Sequence, residues 1–177
     1  MSKVSTTHKL SSPTSLGVYV VTCSTSKFNQ MHNNRKVDDE SGDIIDQLSR
    51  NAGHRIIGRK LTSDSQPMLR RTLRTALADK NIDTVIITGG TGLSSTDVTF
   101  ESISPLLDRQ IPGFGEIFRK ISYDEIGSAA MVSRAFAGMA RKKAVFCLPG
   151  SPNGVRTAME KLILPELGHI VGLARGP

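Results

Sequence analysis

Apolar positions along this chain follow two rhythms. Runs of apolar and β-branched residues fall at Gly17-Val18-Tyr19-Val20-Val21-Thr22-Cys23, Thr84-Val85-Ile86-Ile87 and Ala144-Val145-Phe146-Cys147-Leu148, the pattern of strands buried on both faces. A further strand is expected about His54 to Leu61. Elsewhere the apolar residues recur at helical spacing. Ile44, Ile45, Leu48 and Ala52 mark one helix, ended by Gly53, and Leu69, Leu73, Ala76 and Leu77 mark a second, each an amphipathic arc. Val98 to Leu107 and Gly115 to Ile121 read as helical pieces separated by Arg109-Gln110-Ile111-Pro112-Gly113, and a last helix runs from Ser151-Pro152 through Leu164. Residues 126 to 140, rich in Ala and Gly with Met131, Phe136 and Met139, read as a close-packed helical stretch, and a polar loop runs through Asn33-Asn34-Arg35-Lys36. Strands alternating with helices imply βαβ units with right-handed crossovers, hence an α/β fold with a mainly parallel sheet covered on both faces.

With 177 residues the chain fits one domain, expected over residues 16–177 without internal repeats. Residues 1–15, rich in Ser and Thr with Lys3, His8 and Lys9, are expected to be a disordered tail, since they contain no apolar core of a secretory signal. The composition is 38% hydrophobic and 22% charged, ordinary for a soluble protein, and no apolar stretch approaches the ~20 residues that span a bilayer. A formal charge of +7 raises the question of nucleic acid. The basic clusters are short, however (Arg70, Arg71 and Arg74; Arg141-Lys142-Lys143), and aromatic residues for base stacking are few, so a small anionic substrate accounts for the charge with fewer assumptions. Cys23 and Cys147 form no Cys-x-x-Cys pair, and His8, His32, His54 and His169 are scattered. A transition-metal site made by protein alone is therefore disfavoured, and a reducing cytoplasm is the natural compartment.

The chemistry concentrates where strands end. Thr88-Gly89-Gly90-Thr91-Gly92 follows the strand at residues 84–87, and residues lacking a Cβ let backbone N–H groups approach an anion in the crevice outside the strand ends of an open α/β sheet. Pro149-Gly150-Ser151-Pro152 ends another strand, and parallel strands bring both turns to one sheet edge. Ser151 and Pro152 also specify a helix start by themselves. Asp97, ahead of the helix from Val98, and Asp64, ahead of the second helix, are each either an N-cap of roughly 1 kcal/mol or a carboxylate serving a magnesium-nucleotide reaction, because Mg²⁺ is commonly held by one or two carboxylates plus substrate phosphates.

Four motifs in order carry a resemblance: Thr88-Gly89-Gly90-Thr91-Gly92-Leu93-Ser94-Ser95-Thr96-Asp97-Val98-Thr99, Asp108-Arg109, Pro112-Gly113-Phe114-Gly115-Glu116 and Leu148-Pro149-Gly150-Ser151-Pro152. Together they resemble the molybdenum-cofactor biosynthesis family of MoaB and MogA type, over about Leu16 to Leu167. Asp39-Glu40-Ser41-Gly42 resembles that family's Asp-x-Ser-Gly. The resemblance implies a three-layer α/β/α sandwich that forms homotrimers or homohexamers and works beside other molybdenum-cofactor biosynthesis enzymes. It also implies transfer of AMP from Mg-ATP to the terminal phosphate of molybdopterin, giving adenylylated molybdopterin and pyrophosphate. By motif, Asp64 and Asp97 fall on the family's two acidic positions. A working assignment gives Asp97 to Mg²⁺ and phosphate alignment and Asp64 to the reacting groups, although the sequence alone leaves that division open. Thr88, Gly89, Gly90, Thr91 and Gly92 would cradle phosphate, with the Thr91 hydroxyl as an added donor. Ser41, Gly42, Pro149, Gly150 and Ser151 would complete the pterin and nucleotide pocket. Glu116 would line it as well, or merely complement a helix dipole, and Phe114 reads as core. The alternative function is a non-catalytic molybdopterin-binding or scaffold protein of the same fold.

Overall fold

A computed structural model describes residues 13–176; the expected tail therefore lies, over residues 1–12, outside the described residues. The strands are β1 (Gly17–Cys23), β2 (Arg55–Thr62), β3 (Thr84–Thr88), β4 (Arg109–Gln110), β5 (Phe136–Ala140) and β6 (Lys143–Leu148). The helices are α1 (Thr25–His32), α2 (Glu40–Asn51), α3 (Gln66–Ala78), α4 (Thr99–Ile103), α5 (Pro112–Ile126), α6 (Pro152–Ala158) and α7 (Leu164–Arg175), the last two joined by a π-helical turn (Met159–Ile163).

Among the described residues the strands form one sheet in the order β2-β1-β3-β6-β5-β4. The first four run parallel, while β5 and β4 form an antiparallel edge. Side chains alternate across a strand, and each strand accordingly feeds two cores. Ile86 of β3 and Ala144, Phe146 and Leu148 of β6 face a cluster with Ile44 and Ile45 of α2, Phe114 and Phe118 of α5, Val155 of α6 and Leu167 of α7. Val85 and Ile87, with Val145 and Cys147, face Leu69, Leu73, Ala76 and Leu77 of α3 and Ile103 of α4. These are the three layers expected, and Phe114 is core as expected. Leu69 and Leu73 are fully buried, and truncating either to Ala is worth about 2–5 kcal/mol. No helix among the described residues is long and apolar enough to cross a membrane.

Three expectations need correction. Residues 126–140 are not one helical stretch: α5 ends at Ile126, residues 127–132 form a 3₁₀ segment, and residues 136–140 are strand β5. Its small residues serve close strand packing, because a Cβ on Gly138 would lie 2.5 Å from the Arg109 carbonyl oxygen and 2.6 Å from Leu107 Cδ1. The hairpin to β6 was hidden because its turn is Arg141-Lys142, both at positive φ (49° and 63°), where Asn-Gly is the usual signal; Asp108 Oδ2 accepts the Arg141 N–H at 2.7 Å. Second, part of the polar segment after β1 is helix α1, which buries none of its residues and so leaves no apolar rhythm in the sequence. Third, the last helix does not stop at Leu164: it passes through the π-helical turn and continues as α7 to Arg175, with Leu167 and Val171 buried.

Candidate functional site

The carboxyl ends of β2, β1, β3 and β6 lie level: Cys23 pairs with Thr62, Thr22 with Thr88, and Thr88 with Leu148. Beyond them opens a cleft of about 520 Å³, at the point where the chain passes from β1 to neighbours on either side, the usual ligand position in open α/β sheets. Both glycine turns line it, as do Ser41, Asp64 and Asp97.

The β3 turn takes its shape from Gly89 (φ +97°) and Gly90 (φ +65°). A Cβ on Gly89 would sit 2.2 Å from the Cys23 carbonyl oxygen, and one on Gly90 2.6 Å from Thr99 Oγ1, so both backbone angle and space demand glycine. The turn is pinned from behind: Gly89 N–H donates to the Leu148 carbonyl at 3.0 Å, Thr99 N–H to Gly90 O at 2.9 Å and Thr99 Oγ1 to Gly89 O at 2.8 Å. The N–H groups of Gly90, Thr91 and Gly92, and the Thr91 hydroxyl, have no acceptor among the described residues. The expected cradle therefore starts at Gly90, since the Gly89 N–H is spent on the sheet. Thr88 and Ser41 are braces: Thr88 Oγ1 donates to Pro149 O at 2.7 Å and Ser41 Oγ to Gly150 O at 2.9 Å. Ser151 Oγ caps α6, accepting the Gly154 N–H at 3.3 Å.

Neither key aspartate is the N-cap of the helix it precedes in sequence. The caps of α4 and α3 are Val98 and Ser65, without side-chain bonds. Asp97 Oδ2 accepts the Ser94 N–H at 2.9 Å, and its Oδ1 has no partner among the described residues. Asp64 is tied to the start of α1: Oδ2 accepts Thr25 N–H at 2.8 Å and Thr25 Oγ1–H at 2.7 Å, Oδ1 accepts the Cys23 thiol at 3.1 Å, and Asp64 N–H donates back to Thr25 Oγ1 at 3.0 Å. Partial burial works to raise the Asp64 pKa, but the bonds from Thr25 and Cys23 outweigh it and hold the carboxyl below the usual range. Cys23 responds in the opposite sense, pushed up to about 12 by burial and by the Asp64 bond and charge. Asp39 pairs with Arg59 at 3.0 Å, a guanidinium it shares with Asp43 at 2.6 Å. No cation lies within ion-pair distance of Asp64 or Asp97 among the described residues. Nor do three or more His, Cys, Asp or Glu residues there converge to hold a metal by themselves.

Residues 19–169 match the family model described as probable molybdopterin binding domain. The chain belongs to this family. It is 41% identical over 166 residues to the molybdenum cofactor biosynthesis protein B of Bacillus cereus, covering 93% of this chain and 94% of that one. It is 37% identical over 156 residues to a probable molybdopterin adenylyltransferase of Methanocaldococcus jannaschii, covering 88% and 92% respectively. A crystal structure of a molybdenum cofactor biosynthesis protein B superposes with a TM-score of 0.84 at 39% identity over 93% of this chain and 99% of that one.

Within this molybdopterin-binding fold, two expected positions fall elsewhere. Glu116 lines a second cleft between α5 and the β5 edge, with Phe100, Arg119 and Met131, which adjoins the first at Ser133; the Pro-Gly-Phe-Gly motif places it near the start of α5. Gly42 does not line the cleft, and its N–H donates to Asp39 Oδ1 at 3.2 Å. Sequence reasoning missed Thr22, Cys23, Ser24, Lys27, Asp39 and Ser133, all lining the cleft. The signal for the α1 group was Ser24, whose side chain accepts the Lys27 N–H at 3.4 Å as an N-cap.

Proposed function

We propose that this protein transfers AMP from Mg-ATP to the terminal phosphate of molybdopterin, releasing adenylylated molybdopterin and pyrophosphate, as a cytoplasmic step of molybdenum cofactor biosynthesis carried by one domain over residues 16–177. One observation carries the reading: free N–H groups at Gly90, Thr91 and Gly92 share a cleft with Asp64 and Asp97, two carboxylates that form no ion pair among the described residues. The N–H groups suit phosphate oxygens, while phosphate next to bare carboxylates is repulsive unless a cation lies between. That donor set suits Mg²⁺, which takes few protein ligands and keeps waters and phosphate oxygens. Asp97, with its free Oδ1, would hold the ion, which would neutralise charge on the polyphosphate as it departs.

The chain's own residues supply position and field. A terminal phosphate oxygen of the pterin attacks the α-phosphorus of ATP, and the bond from that phosphorus to pyrophosphate breaks. Phosphoryl chemistry of this kind needs alignment and electrostatic stabilisation rather than a protein nucleophile. Asp64, held ionised by Thr25, acts as a fixed negative charge and hydrogen-bond acceptor for the reacting groups. Pro149, Gly150 and Ser151 form the opposite wall. An exposed apolar strip, with Tyr123, Ile126, Met131 and Val132, supports assembly as a homotrimer or homohexamer, and the substrate would come from other enzymes of the same biosynthesis.

The test is incubation with molybdopterin and Mg-ATP, read by mass spectrometry for adenylylated pterin, with Asp97→Asn alongside. Product from the wild type is expected, with turnover of the variant reduced by at least about 10²-fold. Equal product from both would remove Asp97 from the mechanism, and pterin binding without product would leave a binding or scaffold role.

A further inference from the structure

The loop that carries Asp97 has little internal support. Leu93, Ser94, Ser95 and Thr96 are exposed, and the loop's own bonds are Ser94 N–H to Asp97 Oδ2 at 2.9 Å, Asp97 N–H to Ser94 O at 2.9 Å, and short-range contacts between Ser94 and Thr96. Its firmest tie comes from Arg134, some forty residues away in the segment leading into β5. The Arg134 backbone N–H donates to Thr91 O at 3.1 Å. Its Nε donates to Gly92 O at 2.8 Å and its Nη2 to Asp97 O at 3.0 Å. One guanidinium thus grips both ends of the loop. It is aimed by Glu101 of α4, which accepts from Nη1 and, at 3.5 Å, from Nη2, and it lies 5.5 Å from the centroid of the Phe100 ring.

We propose that Arg134 is a positioning residue, fixing residues 91–97 so that the Asp97 carboxylate and the free N–H groups of the glycine turn face one phosphate-metal ligand. Its catalytic consequence rests on the function proposed above. The guanidinium reaches two carbonyls and a carboxylate through three different nitrogens of one rigid plane; a lysine ammonium, a single nitrogen on a flexible stem, does not reproduce that geometry. Charge balance with Glu101 alone would be satisfied by lysine, so the two roles separate by substitution.

The experiment compares the full chain with Arg134→Lys, Arg134→Ala and the Arg134→Ala/Glu101→Ala pair, which removes the stranded carboxylate. Hydrogen exchange of the bonded loop amides, those of Ser94 and Asp97, is measured without ligand, and turnover is titrated with Mg²⁺ at fixed ATP. Faster loop exchange is expected in all three, with exchange in β1 and β3 unchanged. The Mg²⁺ concentration at half-maximal turnover should rise about 10-fold or more, the usual scale for a residue supporting a metal ligand, and kcat should change less. Lysine should not restore protection. Wild-type loop exchange in Arg134→Lys, or recovery of the double variant to wild type, would overturn the proposal. If the wild type makes no adenylylated pterin, the exchange measurement still decides the clamp, so failure of the proposed activity and failure of the clamp give different results.

Discussion

Asp64 and Asp97 face one cleft and are built differently. Asp64 is largely occupied: two donors from Thr25 on one oxygen and the Cys23 thiol on the other, which keeps one acceptor position, with a reciprocal bond from its own N–H. Asp97 accepts one N–H and leaves an oxygen open. A carboxylate surrounded by donors is held ionised and rigid but has little coordinating capacity left, whereas one with a bare oxygen is available to a cation. The contrast supports the proposed division, with Asp97 toward Mg²⁺ and Asp64 toward the reacting groups.

The largest expected effect separates the two by stability. In Asp64→Asn the amide oxygen can keep the Thr25 donors, but those bonds lose their charge and the Cys23 thiol falls back on the Ser63 carbonyl at 3.7 Å, at a cost of about 2 kcal/mol. Asp97→Asn retains an oxygen for Ser94 and should cost under about 1 kcal/mol. Urea denaturation of both variants measures this. Equal losses would erase the contrast, while a greater loss at Asp97 would reverse it.

How much of this was legible depends on which residues carry apolar rhythm. The parallel strands β1, β3 and β6, and helices α2 and α3, were readable because burial on one or both faces writes itself into the sequence. From these came the shared edge, and with it the glycine turns and both aspartates. Helix α1 was not readable, because it contacts the core with no buried side chain, and Thr25, which orients Asp64, was lost with it. The β5–β6 hairpin hid behind a turn of Arg141 and Lys142. Glu116 lines the neighbouring cleft, a placement the motif left open because it gives order along the chain but not the face of a helix. Arg134 bore no signal at all: its partners are backbone carbonyls of a loop distant in sequence.

Thr25→Val probes the Asp64 side alone. It removes the hydroxyl that donates to Asp64 Oδ2 and accepts from Asp64 N–H, for a loss of about 1 kcal/mol at neutral pH. The pH dependence has a fixed sign. The folded pKa of Asp64 lies below its ordinary value, so its stabilisation is present above the unfolded pKa of about 3.9 and is lost as pH falls through the folded value. Without the Thr25 hydroxyl the folded pKa rises, and less stabilisation remains to lose. Denaturation midpoints of wild type and variant should therefore converge as pH is lowered from 7 to 3. Parallel curves would mean that the hydroxyl does not act through the carboxylate charge.

Cys23 offers the gentlest probe, because it touches Asp64 and leaves the Asp97 loop alone. With burial and the neighbouring charge pushing its pKa to about 12, about one molecule in 10⁴ carries the thiolate at pH 8, against about a quarter for a free thiol. Alkylation by iodoacetamide, followed at the Cys23 peptide, should be correspondingly slow. Asp64→Asn removes both the charge and the ionised acceptor, which lowers the thiol pKa and speeds labelling; Asp97→Asn should leave the rate unchanged. Cys147, fully buried with its thiol also raised, serves as the internal control, since an increase at both cysteines reports general opening of the fold while an increase at Cys23 alone reports the loss of the Asp64 charge. Equal acceleration at Cys23 in the two aspartate variants would show that the turns are mechanically coupled, and the division of roles drawn from their separate hydrogen bonding would fall with it.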